Sequence, residues 1–224
     1  MKVVAVIPAY NEERMIAEVV RAVRSEADEV IVVDDYSRDE TGAAAELAGA
    51  QVLRHALNLG QGAALRTGTA YALRCGADII VHVDADGQHD PTDIKCLVAT
   101  LLQGNAAVAI GSRFAPGGQT IGMTRSRAWL LALARQWSRW WTGLKLHDPQ
   151  NGLRAMTREA ARSLHWRQDR EAHASEILEE IARLKLPYQE VPVTVHYSDY
   201  SKAKGQKNIQ AWRIVWRLLL GKLV

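Results

Sequence analysis

Cysteine is scarce in this chain: Cys75 and Cys96 are the two it has, and neither belongs to a CxxC or a Cys/His cluster. A disulfide framework and a zinc-ligand pattern are thereby excluded, and a reducing cytoplasm is the compartment expected. Long apolar runs are missing as well. No stretch reaches the roughly 18 uninterrupted apolar residues of a spanning helix, and the N-terminal run Met1 to Ile7 is broken by Pro8 and Asn11 too early to act as a signal peptide. The protein is therefore expected to be soluble or peripheral to a membrane. With no internal repeat, low-complexity tract or linker, 224 residues of 48% hydrophobic content predict one substantial domain with a large buried core.

Each half of the chain is poor in charge of one sign. Residues 1–112 carry 9 Lys/Arg against 16 Asp/Glu, and residues 113–224 carry 19 against 9. The halves are expected to face different partners, the basic one anionic lipid or nucleic acid.

Strand and helix patterns alternate along the first half. Val3 to Pro8, Glu29 to Val33, Gln51 to Arg54, Asp78 to Val83 and Ala106 to Ile110 read as strands. Helical spacing fills Glu13 to Arg24, a segment from Thr41, Gly62 to Arg74, and a helix opened by Pro91 that runs to Leu102. Such alternation predicts an α/β fold, a mostly parallel central sheet with helices on both faces, and ligands beyond the carboxyl ends of the strands. In the second half Ser126 to Leu146, Ala174 to Leu184 and Asn208 to Leu220 read as helices. Leu153 to Met156 reads as a strand, and Tyr188 to Tyr197 as a strand pair or one strand bent at Pro192.

Polar clusters follow three of the strands: Ala9-Tyr10-Asn11-Glu12, Asp34-Asp35, and Asp84-Ala85-Asp86-Gly87-Gln88. Two carboxylates and an amide oxygen on alternate residues of an extended segment point one way, the arrangement by which Asp84, Asp86 and Gln88 would hold Mg²⁺ or Mn²⁺. Alone, the same residues could cap a turn without metal, and Asp34-Asp35 could be turn formers before the helix at Thr41. Gly60 and Gly62 read equally as points of close backbone approach or as helix caps.

Five segments, taken in order, resemble the motif set of family-two glycosyltransferases. They are Pro8-x-Tyr10-Asn11-Glu12, Val33-Asp34-Asp35-x-Ser37-x-Asp39-x-Thr41, Asn58-x-Gly60-x-Gly62-x-Ala64, Asp84-Ala85-Asp86-Gly87-Gln88 and Gly111-Ser112-Arg113. The resemblance covers nearly the whole chain and is closest to dolichyl- or polyprenyl-phosphate mannosyl- and glucosyltransferases. It implies the GT-A, or nucleotide-diphospho-sugar transferase, fold. By it, Pro8, Tyr10, Glu12 and Asp35 hold the base and ribose of a nucleotide-sugar with Asp34 close by. Asp84, Ala85, Asp86 and Gln88 hold metal and diphosphate. The resemblance divides one catalytic domain into a nucleotide-sugar half (1–112), an acceptor half (113–206) and an amphipathic terminal helix (207–224).

On the acceptor side, Arg113 is expected to bind a phosphate, joined by Arg125 and Arg127 after a Gly/Pro-rich loop; a solvated helix start would explain the last two equally. Asp148-Pro149-Gln150-Asn151-Gly152-Leu153-Arg154 resembles the family's D-x-x-x-G-φ-R element. Asp148 would be a general base for a hydroxyl acceptor and a positioning residue for a phosphate, which is already anionic. Ser201 and Lys202 match a late S-K element of the family and Lys204 stands near it. The Arg usual upstream is missing, and Tyr200 replaces the usual Gly. Glu176 matches an acidic position of the family or lies on a solvated helix face, and His147 and His173 are left undecided.

Six of the seven tryptophans lie in two helical segments. Trp129, Leu130, Leu133, Trp137, Trp140, Trp141 and Leu144 share a face opposite Arg135, Ser138, Arg139 and Thr142, and Trp212 and Trp216 repeat the pattern against Arg213 and Arg217. Trp with Arg on an amphipathic helix marks an interfacial anchor, with burial of the stripe in the core as the other reading. Nucleic acid is disfavoured because the aromatics are not interleaved with the basic residues. The expectation is an inverting transferase on the inner face of a membrane, using Mg²⁺ or Mn²⁺, a GDP- or UDP-linked hexose and a polyprenyl or dolichyl phosphate. The alternatives are transfer to a sugar or protein hydroxyl, or a silent membrane scaffold. A sugar nucleotidylyltransferase would need a Gly-rich phosphate loop after the first strand, which is lacking.

Overall fold

The structure, a computed structural model, describes residues 1–170 and 172–197, with backbone only for 125–127. Its first strand, β1 (Val3–Ala9), is buried at every position, as expected of an apolar run in the middle of a parallel sheet. Helix α1 (Ile16–Arg24) buries Ile16, Val19, Val20 and Val23 and leads to β2 (Glu29–Asp34). Helix α2 (Thr41–Leu47), β3 (Gln51–Arg54), α3 (Gln61–Arg74), β4 (Ile79–His82), α4 (Asp93–Leu102) and β5 (Val108–Ser112) complete the alternation. Pro91 lies in the turn before α4, where its carbonyl accepts from Ile94 N at 3.0 Å, so the helix starts two residues later than the sequence predicts.

The second half is less periodic, and two elements escape prediction. These are the short strand β6 (Gln119–Ile121), exposed at both ends, and helix α6 (Arg158–Ser163), capped by the Thr157 side chain accepting from Ala160 N. Helix α5 (Arg125–Thr142) precedes β7 (Arg154–Thr157), and α7 (His173–Arg183) precedes β8 (Tyr188–Pro192) and β9 (Thr194–His196). The segment around Pro192 is a strand pair whose members part: β8 joins the main sheet and β9 pairs with β6. The terminal helix expected at Asn208 to Leu220 lies outside the described residues.

Among the described residues the main sheet has seven strands in the order β3-β2-β1-β4-β7-β5-β8. Every pair is parallel except those made by β7, which runs antiparallel between β4 and β5. One apolar cluster, with Ile16, Val20, Ile94 and Leu97, covers one face. The other, with Leu65, Trp166, Ile177 and Ile181, covers the opposite face. Because β7 is reversed, its first residue Arg154 pairs with His82 at the carboxyl end of β4. The start of β7 thus joins the sheet edge where β1, β2 and β4 end.

Candidate active site

Two polar turns at that edge are tied to each other. Asn11 N donates to Ser37 Oγ at 3.0 Å, Arg38 N to Asn11 Oδ1 at 2.9 Å, and Glu12 N to Thr41 Oγ1 at 2.8 Å. Asn11 and Tyr36 both sit at positive φ, 53° and 65°, which Asn tolerates and Tyr does not favour. Pro8 lies buried in β1 opposite Val33, Tyr10 is 41% exposed at the edge, and Glu12 is buried.

Asp34 and Asp35 are both buried, and their oxygens have largely internal duties. Asp34 Oδ1 accepts from Ser37 N at 2.8 Å, and its Oδ2 has the Arg54 guanidinium at 3.5 Å. Asp35 Oδ1 accepts from Leu59 N at 2.9 Å and meets His55 Nδ1 at 2.7 Å; its Oδ2 accepts from Gly60 N at 2.7 Å. Asp35 is thus the anchor of the Asn58 to Gly60 turn that opens α3. Gly60 has φ 112° and precedes the helix. A Cβ on it would lie 2.4 Å from Asp169 O, and one on Gly62 2.2 Å from Gln168 O. Both glycines are therefore needed for close approach, but what approaches is the Gln168 to Asp169 backbone.

The segment after β4 is not extended as the sequence predicts. It turns at Gly87, φ 70°, and the buried Ala85 separates the two carboxylates. Asp84 accepts from Gln61 Nε2 at 2.9 Å and has His89 Nε2 at 3.4 Å. Burial acts to raise the Asp84 pKa, but the His89 bond and neighbouring cations outweigh it and hold the group below the usual carboxylate range. Asp86 goes the other way, pushed up to about 6 by burial and then by the charge of Asp84. Gln88 donates through its amide Nε2 to Asp86 Oδ2 at 2.6 Å, and so steadies one of the two carboxylates. Gly152, at the start of the β7 approach, lies so close that a Cβ there would be 2.0 Å from Asp84 Oδ2.

Two half-buried carboxylates close together, one of them resisting ionisation, are a donor set suited to a hard divalent cation. Mg²⁺ in particular binds through one or two carboxylates and completes its shell with phosphate and water oxygens. Among the described residues there is no group of three or more His, Cys, Asp or Glu placed for a metal, so Asp84 and Asp86 would need oxygens from a ligand. Buried side-chain atoms without a hydrogen-bond partner among the described residues gather here too: His82 Nδ1, His89 Nδ1, and Nε and Nη1 of Arg154. The others of this kind, Asp34 Oδ2 and Glu26 Oε2, each face a cation, Arg54 and Lys95. Orphaned buried polar atoms are uncommon, and their concentration at one edge marks where a polar ligand belongs.

On the acceptor side, Arg113 and Asp148, read from the sequence as separate functional groups, form one buried ion pair. Arg113 Nε and its own backbone N both donate to Asp148 Oδ2, the latter at 3.0 Å, and Asn151 Nδ2 adds a third bond at 3.2 Å. Arg113 Nη1 donates to the Tyr197 hydroxyl, and the guanidinium lies 5.8 Å over the Phe114 ring. Burial would lower the Arg113 pKa, but Asp148 more than offsets it and the net shift is upward. Asp148, 1% exposed, is not presented as a free general base. Tyr197 is a member of this site that no sequence motif marked.

Arg125 and Arg127 open α5, and their side chains, like Ser201, Lys202 and Lys204, fall outside what the structure describes. Glu176, in the first turn of α7, accepts through Oε2 from Arg167 N at 2.8 Å and Gln168 N at 2.7 Å, pinning the loop that packs on Gly62. His147 is a surface partner of Glu190 at 2.6 Å, and His173 is buried with Nδ1 2.8 Å from Arg170 O. The α5 tryptophans do not fill the core. Trp129 and Trp140 are 70% and 71% exposed, Leu133, Trp137 and Trp141 also face outward, and Trp137 stacks on Trp141 at 6.3 Å. No described helix is long and apolar enough to cross a membrane.

Comparison with known proteins agrees with this geometry. Residues 4–164 match the model of the family "Glycosyl transferase family 2". The UDP-N-acetylglucosamine–dolichyl-phosphate N-acetylglucosaminyltransferase of Methanococcus voltae is 32% identical over 97% of this chain and 95% of its own length. The polyprenol monophosphomannose synthase of Mycolicibacterium smegmatis is 37% identical over 70% of this chain and 62% of its own. The crystal structure of glucosyl-3-phosphoglycerate synthase from Mycobacterium tuberculosis, in complex with Mg²⁺ and uridine diphosphate, superposes with a TM-score of 0.69. It shares 25% identity over 87% of this chain and 70% of that one. The carboxylate pair after β4, the GT-A topology and the family match together place the chain in glycosyl transferase family 2, as a glycosyltransferase.

Proposed function

We propose that the protein transfers a hexose from a nucleotide-sugar to a polyprenyl or dolichyl phosphate at a membrane surface, with inversion and with a divalent cation. The observation that carries this is the Asp84–Asp86 pair, set among orphaned polar groups at the carboxyl edge of the sheet. Relatives named for dolichyl- and polyprenol-phosphate transfer support the acceptor, and the Mg²⁺ and uridine diphosphate in the structural neighbour support the donor and metal. Asp84 and Asp86 would hold Mg²⁺ or Mn²⁺, which when bound neutralises the departing diphosphate. Pro8, Tyr10, Glu12, Asp34 and Asp35 would shape the nucleotide site.

A phosphate oxygen attacks the anomeric carbon, the bond from that carbon to the diphosphate breaks, and nucleoside diphosphate leaves with the bonding pair. An anionic oxygen requires no deprotonation, which agrees with Asp148 being engaged by Arg113. Asp148 then positions the guanidinium toward the acceptor phosphate, and Arg125, Arg127, Ser201, Lys202 and Lys204 are further candidates for that phosphate. The outward Trp face of α5 supports seating on lipid, which keeps a lipid-linked acceptor within reach.

The test is release of nucleoside diphosphate by purified protein given GDP-mannose, UDP-glucose or UDP-N-acetylglucosamine, Mn²⁺ or Mg²⁺, and polyprenyl phosphate in detergent. Product with one donor, dependent on the lipid phosphate, is expected. Equal release when free sugar replaces the lipid phosphate would point instead to a hydroxyl acceptor.

A further inference from the structure

Three of the orphaned buried atoms at the sheet edge belong to one cross-strand pair, His82 of β4 and Arg154 of β7. Arg154 is 3% exposed. Its Nη2 donates to Asn151 O at 2.9 Å, while Nε and Nη1 meet no acceptor among the described residues. His82 is 1% exposed, with Nε2 2.9 Å from Thr69 Oγ1 and its ring edge-on to Trp166 at 6.0 Å. The guanidinium, protonated throughout the physiological range, is the cation of the pair.

A buried guanidinium with two unmet donors is costly unless a charge or acceptor lies against it. Asp84 is the carboxylate whose field acts on Arg154, standing two residues beyond His82 and pressed against Gly152, two residues before Arg154. A cation held by Asp84 cancels much of that field. The negative charge then has to arrive with the ligand, and a planar fork of N–H groups suits phosphate oxygens.

We propose that Arg154, with His82 beside it, is a donor-site binding group that takes oxygens of the diphosphate-sugar portion of the nucleotide-sugar. This rests on the assignment of Asp84 and Asp86 to the donor. It adds to the carboxylates a resident cation near Asp84, supplied by the reversed strand.

The two oxygen sources, diphosphate and sugar hydroxyl, separate by calorimetric titration in Mn²⁺ of UMP, UDP and UDP-glucose, and of GMP, GDP and GDP-mannose. The proteins are wild type, Arg154→Gln and Arg154→Lys, with circular dichroism confirming the fold. If Arg154 binds diphosphate, Arg154→Gln weakens both diphosphates and nucleotide-sugars tenfold or more and leaves the monophosphates unchanged. If it binds the sugar, only the nucleotide-sugar loses affinity. Arg154→Lys keeps the buried charge and the fold, and should show a smaller loss of the same pattern. Wild-type affinity of both variants for every ligand, or equal weakening of the monophosphates, overturns the assignment while the donor site stands. If the wild type itself takes up neither diphosphate, the donor site falls and Arg154's role with it.

Discussion

Gly152→Ala is the sharpest steric probe of the site. The new Cβ would lie 2.0 Å from Asp84 Oδ2, 2.6 Å from its Cγ and 2.8 Å from Oδ1. Ordinary contact between such atoms needs about 3.4 Å, so the carboxylate must move on the order of 1 Å. Gly152 is not among the residues at positive φ, so alanine adds no backbone strain and the cost falls on Asp84. The shift breaks the bond from Gln61 and the contact with His89, at about 1 kcal/mol each. The fold should therefore survive with a melting temperature several degrees lower. Misplacing a ligand-holding group by roughly 1 Å costs on the order of 100-fold in turnover. The assay is nucleoside diphosphate release together with the thermal shift produced by Mn²⁺ and UDP or GDP. Turnover and nucleotide-induced stabilisation both within twofold of wild type would show that Asp84 has no fixed role in the donor site.

Asp86 gives a pH signature. Its folded pKa, raised to about 6 from 3.8, means that its contribution to stability is present below about pH 4 and is lost as pH rises through 6. The unliganded protein should lose on the order of 3 kcal/mol between those limits, and Asp86→Asn should flatten that part of the urea-denaturation profile. Stabilisation by Mn²⁺ with nucleotide should grow from pH 5 to 7.5, and a constant increment would argue against Asp86 as a ligand. Asp148→Ala strands the buried Arg113 charge and should cost about 3–5 kcal/mol by urea denaturation. Asp148→Asn should reduce turnover mildly with a phosphate acceptor, whereas a loss of several hundredfold with nucleotide binding intact would favour a hydroxyl acceptor. Replacing Trp129 and Trp140 together by Glu should abolish sedimentation with anionic vesicles, yet spare transfer to a short, water-soluble polyprenyl phosphate.

Much of the fold could be read from local pattern, because that information is local. Period-two and continuous apolar runs mark β1, β2 and β4, helical spacing marks α1 and α4, and the polar turns after the strands mark the binding edge. The Asp84 and Asp86 carboxylates, the split of charge and the amphipathic pattern of α5 are likewise properties of residues and their spacing. The chain alone could not say whether the Trp stripe of α5 is core or surface. Burial depends on what packs against a helix, and here nothing described covers Trp129 or Trp140.

Pairing across the chain was decided by the tertiary structure. Only the reversal of β7 sets Arg154 beside His82 and Gly152 against Asp84, and only the approach of residues 113, 148 and 197 makes a buried pair and its tyrosine partner from three distant residues. Gln88, Asp35 and Glu176 have the polar chemistry their motifs suggest. Their oxygens and nitrogens are directed by hydrogen bonds to groups that fold up against them, with no periodicity in sequence. Residue type fixes what a side chain can donate or accept; the partner it meets follows from which strands lie side by side.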